Sequence, residues 1–290
     1  MTEYLDYPLI TIKESRQILD SQKSGETKLS VSLDLGIART EITIDLDNDE
    51  AHLKDETVAL DEFRKVKEDF CYAIEEGELK KIAFFSDETK YYYKLFPTKD
   101  WPTMMFSSTP MHRYSKVSPK EDTFAKINDV NEAARIKGSV LDTCCGLGYT
   151  AICAADHAKE VHTFERDENV IYLEAINPYS RRLFTDKKIK HNHANIYDEI
   201  WTMKDESFDV IIHDPPTPKY SSLLYSRDFY GEMLRILKKG GILYHYAPWP
   251  HKTRGEDFPK TISKNLERCG FEVIGYKQSS SGIIARKPLV

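Results

Sequence analysis

The segment VLDTCCGLGYTA, residues 140–151, carries the clearest structural signal in the chain, because an apolar strand pattern runs into two glycines and then into a helical pattern. Gly146 and Gly148 let the backbone turn sharply and approach a ligand closely. The helix predicted at residues 149–155 directs its positive N-terminus toward the same place. The segment therefore predicts a strand, a turn and a helix that bind a nucleotide-like cofactor.

The sequence around this segment alternates apolar runs with helical patterns from about residue 126 onward, which is typical of βαβ units and a parallel sheet. The last two apolar runs are separated only by residues 277–282, too few for a crossover helix, so the final strand should be antiparallel. We predict a doubly wound, seven-stranded, mostly parallel α/β sheet with an antiparallel last strand. Its strands are expected at residues 139–143, 160–165, 189–193, 208–213, 241–246, 272–276 and 283–286.

The first hundred residues have a different pattern, with short alternating runs that indicate a small β-rich domain. One helical stretch is expected near residues 60–70. A cluster of Pro, Ser and Thr at residues 97–110 marks a boundary. We therefore expect an accessory domain at 1–105 and a cofactor-binding domain at 106–290. Strands in the accessory domain are predicted as pairs at residues 28–35 and 40–46, and at residues 81–85 and 91–96.

The charge is unevenly divided between these two parts. Residues 1–105 contain 14 Lys and Arg against 23 Asp and Glu, a net charge of −9, whereas the rest, with 27 against 24, has +3. A domain that grips phosphates usually has a basic excess. We expect the accessory domain to recognise a cationic or protein partner rather than bare nucleic acid. The sequence does not decide whether the protein forms a homodimer.

No apolar run of 18 residues occurs, and the N-terminus lacks the basic start and apolar stretch of a signal peptide, so a cytoplasmic protein without a membrane partner is expected. The five cysteines include no Cys-x-x-Cys pair, which argues against disulfides and against a metal site. Cys144 lies within the glycine-rich segment and is grouped with the candidate cofactor-binding residues.

The glycine pattern alone also fits a dinucleotide site, and three neighbouring features decide between cofactors. One is the segment His213-Asp214-Pro215-Pro216, which has no counterpart in dehydrogenases, and the other two are acidic residues. Asp142 ends the first strand, where a carboxylate can hold a cationic amino group but would repel a pyrophosphate. Glu165 ends the second strand, where it can accept hydrogen bonds from ribose hydroxyls. Together with Gly146 and Gly148, these residues resemble motifs I and II of the class I S-adenosylmethionine-dependent methyltransferases. The resemblance implies S-adenosyl-L-methionine as the cofactor.

Asn195 follows the third predicted strand, at the place where that family usually has an acid that meets the adenine amino group. An amide oxygen can accept the same hydrogen bond. The candidate cofactor-binding residues are therefore Asp142, Cys144, Gly146, Gly148, Glu165 and Asn195.

The fourth predicted strand ends in His213-Asp214-Pro215-Pro216, which resembles the Asp/Asn-Pro-Pro-aromatic motif of methyltransferases acting on adenine N6, guanine N2 or glutamine amide nitrogen. In that motif an acid or amide oxygen and the next carbonyl position a planar amine, and the prolines fix the carbonyl. Here Thr217 stands at the aromatic position. We predict Asp214, Pro215 and His213 as catalytic residues.

Two further clusters are candidates for the acceptor site, residues 111–114 and residues 245–251. Ligands of open α/β sheets bind beyond the carboxyl ends of strands, and aromatic and imidazole groups suit a planar or cationic substrate. From these clusters we predict that His112, Arg113, Tyr246 and Trp249 contact the substrate.

Residues 110–290 as a whole, including Asn-Pro-Tyr-Ser at 177–180, resemble a group of archaeal proteins known only as predicted methyltransferases. Residues 224–241 are similar to the helix and turn after the fourth strand of spermidine synthases. The leading hypothesis is a methyltransferase acting on an amine or amide nitrogen of a small molecule, a protein or RNA. The alternatives are an aminopropyltransferase using decarboxylated S-adenosylmethionine, an RNA nucleobase methyltransferase, or a non-catalytic scaffold, against which the His-Asp-Pro-Pro segment argues.

Overall fold

The structure is a computed structural model that describes residues 3–248 and 257–290. The chain forms two compact units, which we call the N-terminal unit (Met1–Pro119 with Tyr172–Arg181) and the C-terminal unit (Lys120–Ile171 with Arg182–Val290). A division into independently folding domains after residue 105 stays a prediction. Among the described residues, no helix is long and apolar enough to cross a membrane.

The N-terminal unit consists mainly of short antiparallel strands, as predicted. They form a sheet of order β1-β6-β7, a sheet of order β2-β3-β4-β5 and a sheet of order β11-β10-β9-β8. The elements are β1 Leu9–Ile10, α1 Ile12–Ser24, β2 Lys28–Val31, β3 Thr40–Asp45, β4 Glu50–Leu53, β5 Glu56–Ala59, α2 Leu60–Arg64, β6 Tyr72–Glu75, β7 Glu78–Lys81, β8 Ala83–Phe85, β9 Tyr92–Phe96, β10 Thr103–Phe106 and β11 Thr109–Pro110.

Both predicted strand pairs of this unit are present, β2 with β3 and β8 with β9, each antiparallel. The helix expected near residues 60–70 was wrong in extent, because α2 already ends at Arg64. The backbone N–H of Lys67 bonds instead to the hydroxyl of Tyr72, at the start of β6. A tertiary contact therefore ends the helical pattern.

Helix α1 was not predicted, although the sequence contains capping residues for both of its ends. Thr11 and Glu14 form a reciprocal capping box, and Gly25 ends the helix in the left-handed conformation with φ 77°. Ile18 of this helix is fully buried in the core of the unit. Ser or Thr followed three residues later by Glu is the signal that would have located the helix.

The remaining strands form the large sheet, whose order is β14-β13-β12-β15-β16-β18-β17. Strand β18 is antiparallel to both neighbours, which confirms the predicted seven-stranded fold. The elements are α3 Pro119–Ala133, β12 Ser139–Asp142, α4 Tyr149–Ala155, β13 Glu160–Glu165, α5 Glu168–Ile176, α6 Arg182–Thr185, β14 Ile189–His193, α7 Ile196–Glu199, β15 Phe208–His213, α8 Pro218–Ser221, α9 Arg227–Ile236, β16 Leu237–Tyr246, α10 Phe258–Arg268, β17 Glu272–Lys277 and β18 Gly282–Arg286.

The order of the sheet reverses between β12 and β15, because the chain first builds outward to β14 and then returns to the other side of β12. A ligand site is expected beyond the carboxyl ends of the strands at such a switch point. Buried Leu141, Ile211 and Leu243 from three adjacent strands pack against Phe229 and Tyr230 of α9. This core fixes the strand ends that carry the candidate site.

Candidate cofactor and acceptor site

The turn between β12 and α4 needs its glycines. Gly146 and Gly148 have φ values of 57° and 76°, in the left-handed region that favours glycine. A Cβ atom at Gly148 would also overlap the Leu183 side chain. The absence of a side chain at Gly148 therefore lets the turn pack closely against Leu183.

Glu165, the last residue of β13, is fixed by backbone N–H groups. Its Oε1 accepts hydrogen bonds from the N–H groups of Arg166 at 2.8 Å and Asp167 at 3.0 Å, and its Oε2 accepts from Gly146 at 3.1 Å. A carboxylate has about four lone-pair positions, so it can accept hydrogen bonds from several donors at once. The carboxylate thus joins the glycine turn to the second strand.

A concave site lies at the carboxyl ends of β12, β13 and β14. It brings together Cys144, Glu165 and Asn195, three of the residues that the sequence predicts to bind the cofactor. Its full lining is Thr143, Cys144, Phe164, Glu165, Arg166, Ala194, Asn195, Ile196, Pro216, Ser221 and Leu224. Whether each of these residues contacts the cofactor stays a prediction.

Asn195 also has a structural role, as the N-cap of α7. Its Oδ1 accepts a hydrogen bond from the N–H of Tyr197 at 3.2 Å, and its Nδ2 donates to Asp198 Oδ2 at 2.8 Å. The side chain is thereby held at the edge of the concave site. The cap uses one of the two lone pairs on the amide oxygen, which leaves the other for a ligand donor.

Asp142 is buried without a cation. Its carboxylate is only 1 % exposed and accepts hydrogen bonds from the Thr150 hydroxyl at 2.5 Å and the Thr163 hydroxyl at 3.3 Å. No Lys, Arg or His among the described residues forms an ion pair with it. Burial raises the pKa of Asp142 to about 7, and the nearby Asp214 carboxylate adds to this, whereas the two hydroxyls act in the opposite direction.

Asp214, one residue past β15, has the opposite surroundings. Its Oδ2 accepts a hydrogen bond from the Lys126 ammonium at 2.6 Å. Lys126 is 5 % exposed, pairs with Asp122 Oδ2 at 2.8 Å, and lies 5.0 Å from the centre of the Tyr246 ring. Burial alone would lower the pKa of Lys126, but the carboxylates of Asp214 and Asp122 raise it well above its usual value. No local sequence pattern marks Lys126, which lies 88 residues before Asp214.

His213 is fully buried, and both of its ring nitrogens are engaged. Nε2–H donates to the Leu224 carbonyl at 3.1 Å, so Nδ1 accepts from the Thr143 hydroxyl at 2.7 Å. Burial, with a further contribution from His245, lowers the pKa of His213 well below its usual value. The imidazole is therefore neutral and holds the ends of β12 and β15 together rather than facing open space.

The Asp-Pro-Pro turn has an aromatic neighbour that its own sequence does not supply. Thr217 is exposed, but the hydroxyl of Tyr225 donates a hydrogen bond to the Pro216 carbonyl at 3.0 Å. Tyr225 ends a short 3₁₀ helix, Ser222–Tyr225. A residue eight positions after Thr217 thus brings an aromatic ring to the turn.

The predicted substrate residues are found in different places. Tyr246 lies beside Lys126 in the C-terminal unit. His112 and Arg113 belong to the N-terminal unit, where His112 Nδ1 and the Thr103 hydroxyl are 3.0 Å apart. Trp249 lies outside the described residues. Only Tyr246 is therefore placed near Asp214 by the described contacts.

The comparisons with known proteins agree with this architecture. A family model described as "Methyltransferase small domain" matches residues 125–254. The uncharacterized protein MJ1233 of Methanocaldococcus jannaschii is 40 % identical over 291 residues, which cover 99 % of this chain and 98 % of that protein.

Two solved spermidine synthases have a similar fold, one in complex with the transition state analogue AdoDATO (TM-score 0.56) and one from Thermotoga maritima (TM-score 0.52). Each is 18 % identical and matches 72 % of this chain, with 73 % and 72 % of the spermidine synthase chains covered. At this identity the likeness concerns the fold alone. The chain belongs to the family of MJ1233, contains a methyltransferase small domain, and is an S-adenosylmethionine-dependent methyltransferase.

Proposed function

We propose that this enzyme methylates an amine or amide nitrogen that is held by the Asp214 carboxylate and the Pro215 carbonyl. The observation that carries the proposal is the Asp214 side chain at the switch point of the sheet. One of its oxygens is held by buried Lys126, while Oδ1 has no hydrogen-bond partner within the described residues. An N–H group of the acceptor suits that oxygen.

The residues of the glycine turn fit the cofactor. A buried carboxylate without a cation is costly, so Asp142 favours a ligand that brings a positive charge. S-adenosylmethionine has a cationic amino group, and its sulfonium supplies the methyl group. Glu165, in the lining of the concave site, would accept a hydrogen bond from a ribose hydroxyl, and Asn195 would accept one from the adenine amino group.

The Asp-Pro-Pro turn would orient the acceptor. Two prolines restrict the backbone after Asp214, and Tyr225 fixes the Pro216 carbonyl, so the turn keeps one conformation. A nitrogen that donates to both Asp214 and the Pro215 carbonyl has its position set by two hydrogen bonds. When it gains a methyl group, this nitrogen releases one proton to solvent. His213 supports the turn from within the core and does not exchange a proton.

An RNA nucleobase is an alternative acceptor, since its exocyclic amine is a planar N–H donor of the kind that the Asp214 carboxylate suits. The spermidine synthase fold favours the aminopropyltransferase alternative. That reaction needs a cofactor without the methionine carboxylate. Comparing the affinities for S-adenosylmethionine and its decarboxylated form separates the two reactions.

Calorimetry with S-adenosylhomocysteine and with NAD tests the cofactor residues directly. We expect S-adenosylhomocysteine to bind and Glu165→Ala to weaken it by about 1 to 3 kcal/mol, because hydrogen bonds to a charged acceptor are lost. Glu165→Gln keeps the shape and is the matched variant. NAD binding more tightly than S-adenosylhomocysteine, or unchanged affinity in Glu165→Ala, would contradict the assignment.

The acceptor is identified with S-adenosylmethionine labelled at the methyl group and a cell extract separated into RNA, protein and small molecules. The proposal expects the label on nitrogen in one fraction. Label on oxygen or carbon in the major product would reject the nitrogen acceptor.

A further inference from the structure

Lys126, Asp122 and Asp214 form a nearly buried charged cluster behind the Asp-Pro-Pro turn. The side chains of Lys126 and Asp122 are 5 % and 1 % exposed, and that of Asp214 is 23 % exposed. The two N–O distances are 2.8 and 2.6 Å, which are typical of charge-assisted hydrogen bonds. The cluster therefore differs from the exposed ion pairs on the surface of the chain.

Stability alone does not account for this cluster. Taking charges out of water is expensive, and apolar side chains of similar volume often do as well as a buried ion pair. Here two carboxylates share one ammonium. The cluster instead fixes the position of Asp214, because it links helix α3 to this residue, which follows β15.

The geometry holds Lys126 on more than one side. Asp122 lies one turn earlier on the same helix and receives one N–H of the ammonium, while the ring of Tyr246 lies 5.0 Å from it. With the ammonium fixed, its bond to Oδ2 restrains rotation of the Asp214 carboxylate. Oδ1 then has a defined direction.

We propose that Lys126 is a positioning residue for methyl transfer, holding Oδ2 of Asp214 so that Oδ1 accepts a hydrogen bond from the acceptor nitrogen. This inference rests on the proposed function, since it needs Asp214 at the acceptor. The raised pKa of Lys126 keeps its ammonium protonated at neutral pH, so Lys126 is not the group that takes up the acceptor's proton. It acts through Asp214.

The test compares single-turnover rates with the methyl-accepting fraction of the extract. Lys126→Met should lower the rate about 10²-fold, as expected for a misplaced acceptor, while the affinity for S-adenosylhomocysteine changes less than about threefold. Lys126→Arg keeps the cation and should recover at least about tenfold of the loss. The matched control is Lys277→Met, which removes the exposed pair between Lys277 and Glu132, also of helix α3, and should leave the rate unchanged.

Lys126→Met removes the cation that Asp122 and Asp214 share and can unfold the chain, so Lys126→Met/Asp122→Asn is made beside it. This double variant removes one charge of each sign and should show the same loss of rate. Thermal unfolding and the affinity for S-adenosylhomocysteine report whether the fold is intact.

A double-mutant cycle separates positioning from a structural role. If Lys126 acts through Asp214, Lys126→Met/Asp214→Asn is no slower than Asp214→Asn alone. Losses that multiply, or a wild-type rate in Lys126→Met, would overturn the positioning role while leaving the proposed function intact. A wild-type rate in Asp214→Ala would instead reject the proposed function itself.

Discussion

The neighbouring strands β12 and β15 each lead into an aspartate, and the two carboxylates have opposite surroundings. Asp142, the last residue of β12, is buried against hydroxyl groups and has a pKa raised to about 7. Asp214, just past the end of β15, has a lysine cation 2.6 Å away. Residues of one type, at the same edge of one sheet, therefore differ in whether the protein itself supplies the counter-charge.

This difference indicates two kinds of partner. A carboxylate without a built-in cation favours a ligand that brings one, which fits the amino group of the cofactor at Asp142. A carboxylate with its cation already in place has one oxygen left for a neutral donor, which fits the acceptor nitrogen at Asp214. Variants at the two positions should therefore fail in different ways.

The largest effect is expected at Asp214. Asp214→Ala should lower the single-turnover rate about 10²-fold or more, since a positioned polar group acting in the transition state is worth about 2.7 to 4 kcal/mol. Asp214→Asn should be nearly as slow, because Lys126 attracts its one amide oxygen and turns the NH₂ group toward the acceptor. Both variants should bind S-adenosylhomocysteine as the wild type does.

Asp142 gives the contrast. Asp142→Asn should weaken the binding of S-adenosylhomocysteine, because the amide has no charge to offer the cofactor amino group. If Asp214→Asn keeps the wild-type rate, Lys126 does not direct that side chain. If Asp214→Ala loses cofactor affinity instead, the roles of the two carboxylates are not separate.

The second prediction concerns the stability of the fold, which should rise when Asp142 is replaced by Asn and fall when Asp214 is replaced by Asn. Between about pH 4 and pH 7 the folded chain keeps the Asp142 proton while the unfolded chain loses it, so the stability of the fold falls as pH rises through this window. Asp142→Asn cannot ionise and should be more stable than the wild type by about 2 kcal/mol at pH 8, within a ceiling of about 4 kcal/mol for three pKa units.

The same measurement at Asp214 should give the opposite result. Asp214→Asn removes the charge that pairs with Lys126 and should destabilise the fold by about 1 kcal/mol or more. Urea unfolding at pH 8 and at pH 4 measures both variants. The advantage of Asp142→Asn should be close to zero at the lower pH, and an equal advantage at both pH values would mean that the proton on Asp142 is not responsible.

The sequence predicted what local patterns determine. Strands β13, β14 and β15 have the bounds expected from apolar runs, and Asp142, Glu165 and Asp214 stand at strand ends because the runs stop there. Patterns in sequence cannot show which distant side chains meet. Lys126 lies 88 residues before Asp214, and its helical spacing to Asp122 looks like an ordinary surface pair.

Two other side chains show why roles are harder to predict than positions. His213 occupies the expected strand end, but its burial and its bonds to Thr143 and Leu224 make it a structural neighbour of the site. Asn195 stands where the methyltransferase family usually has an acid, but Asn before a helical turn is also a common N-cap, and here it caps α7. A residue at a strand end can serve the fold and a ligand together.

The third prediction uses pH to identify the carboxylate that meets the cofactor. With a pKa of about 7, Asp142 is mostly protonated at pH 6 and mostly ionised at pH 8. The affinity for S-adenosylhomocysteine should therefore rise about tenfold between these values, since the ionised fraction rises by that factor. Calorimetry should find no such rise in Asp142→Asn, whereas Asp214→Asn should keep a smaller rise with a lower midpoint, because the Asp214 charge helps to raise the pKa of Asp142. A flat wild-type profile would remove Asp142 from the cofactor amino group.

The smallest effect tests what holds Asp142 at that pKa. Burial raises the pKa, and the Thr150 hydroxyl, 2.5 Å away, is the strongest influence in the other direction. Thr150→Val has the same shape without the donor, so the midpoint of the pH dependence should move upward by about one unit, since a hydrogen bond to a charged group contributes about 1.5 to 3 kcal/mol. At pH 7 the ionised fraction would then fall from about one half to one tenth, a loss of about fivefold in affinity.

Thr163→Val is the matched variant, and because its hydrogen bond is longer, at 3.3 Å, its midpoint should move less. Equal midpoints in both variants and the wild type would mean that these hydroxyls do not stabilise the ionised carboxylate.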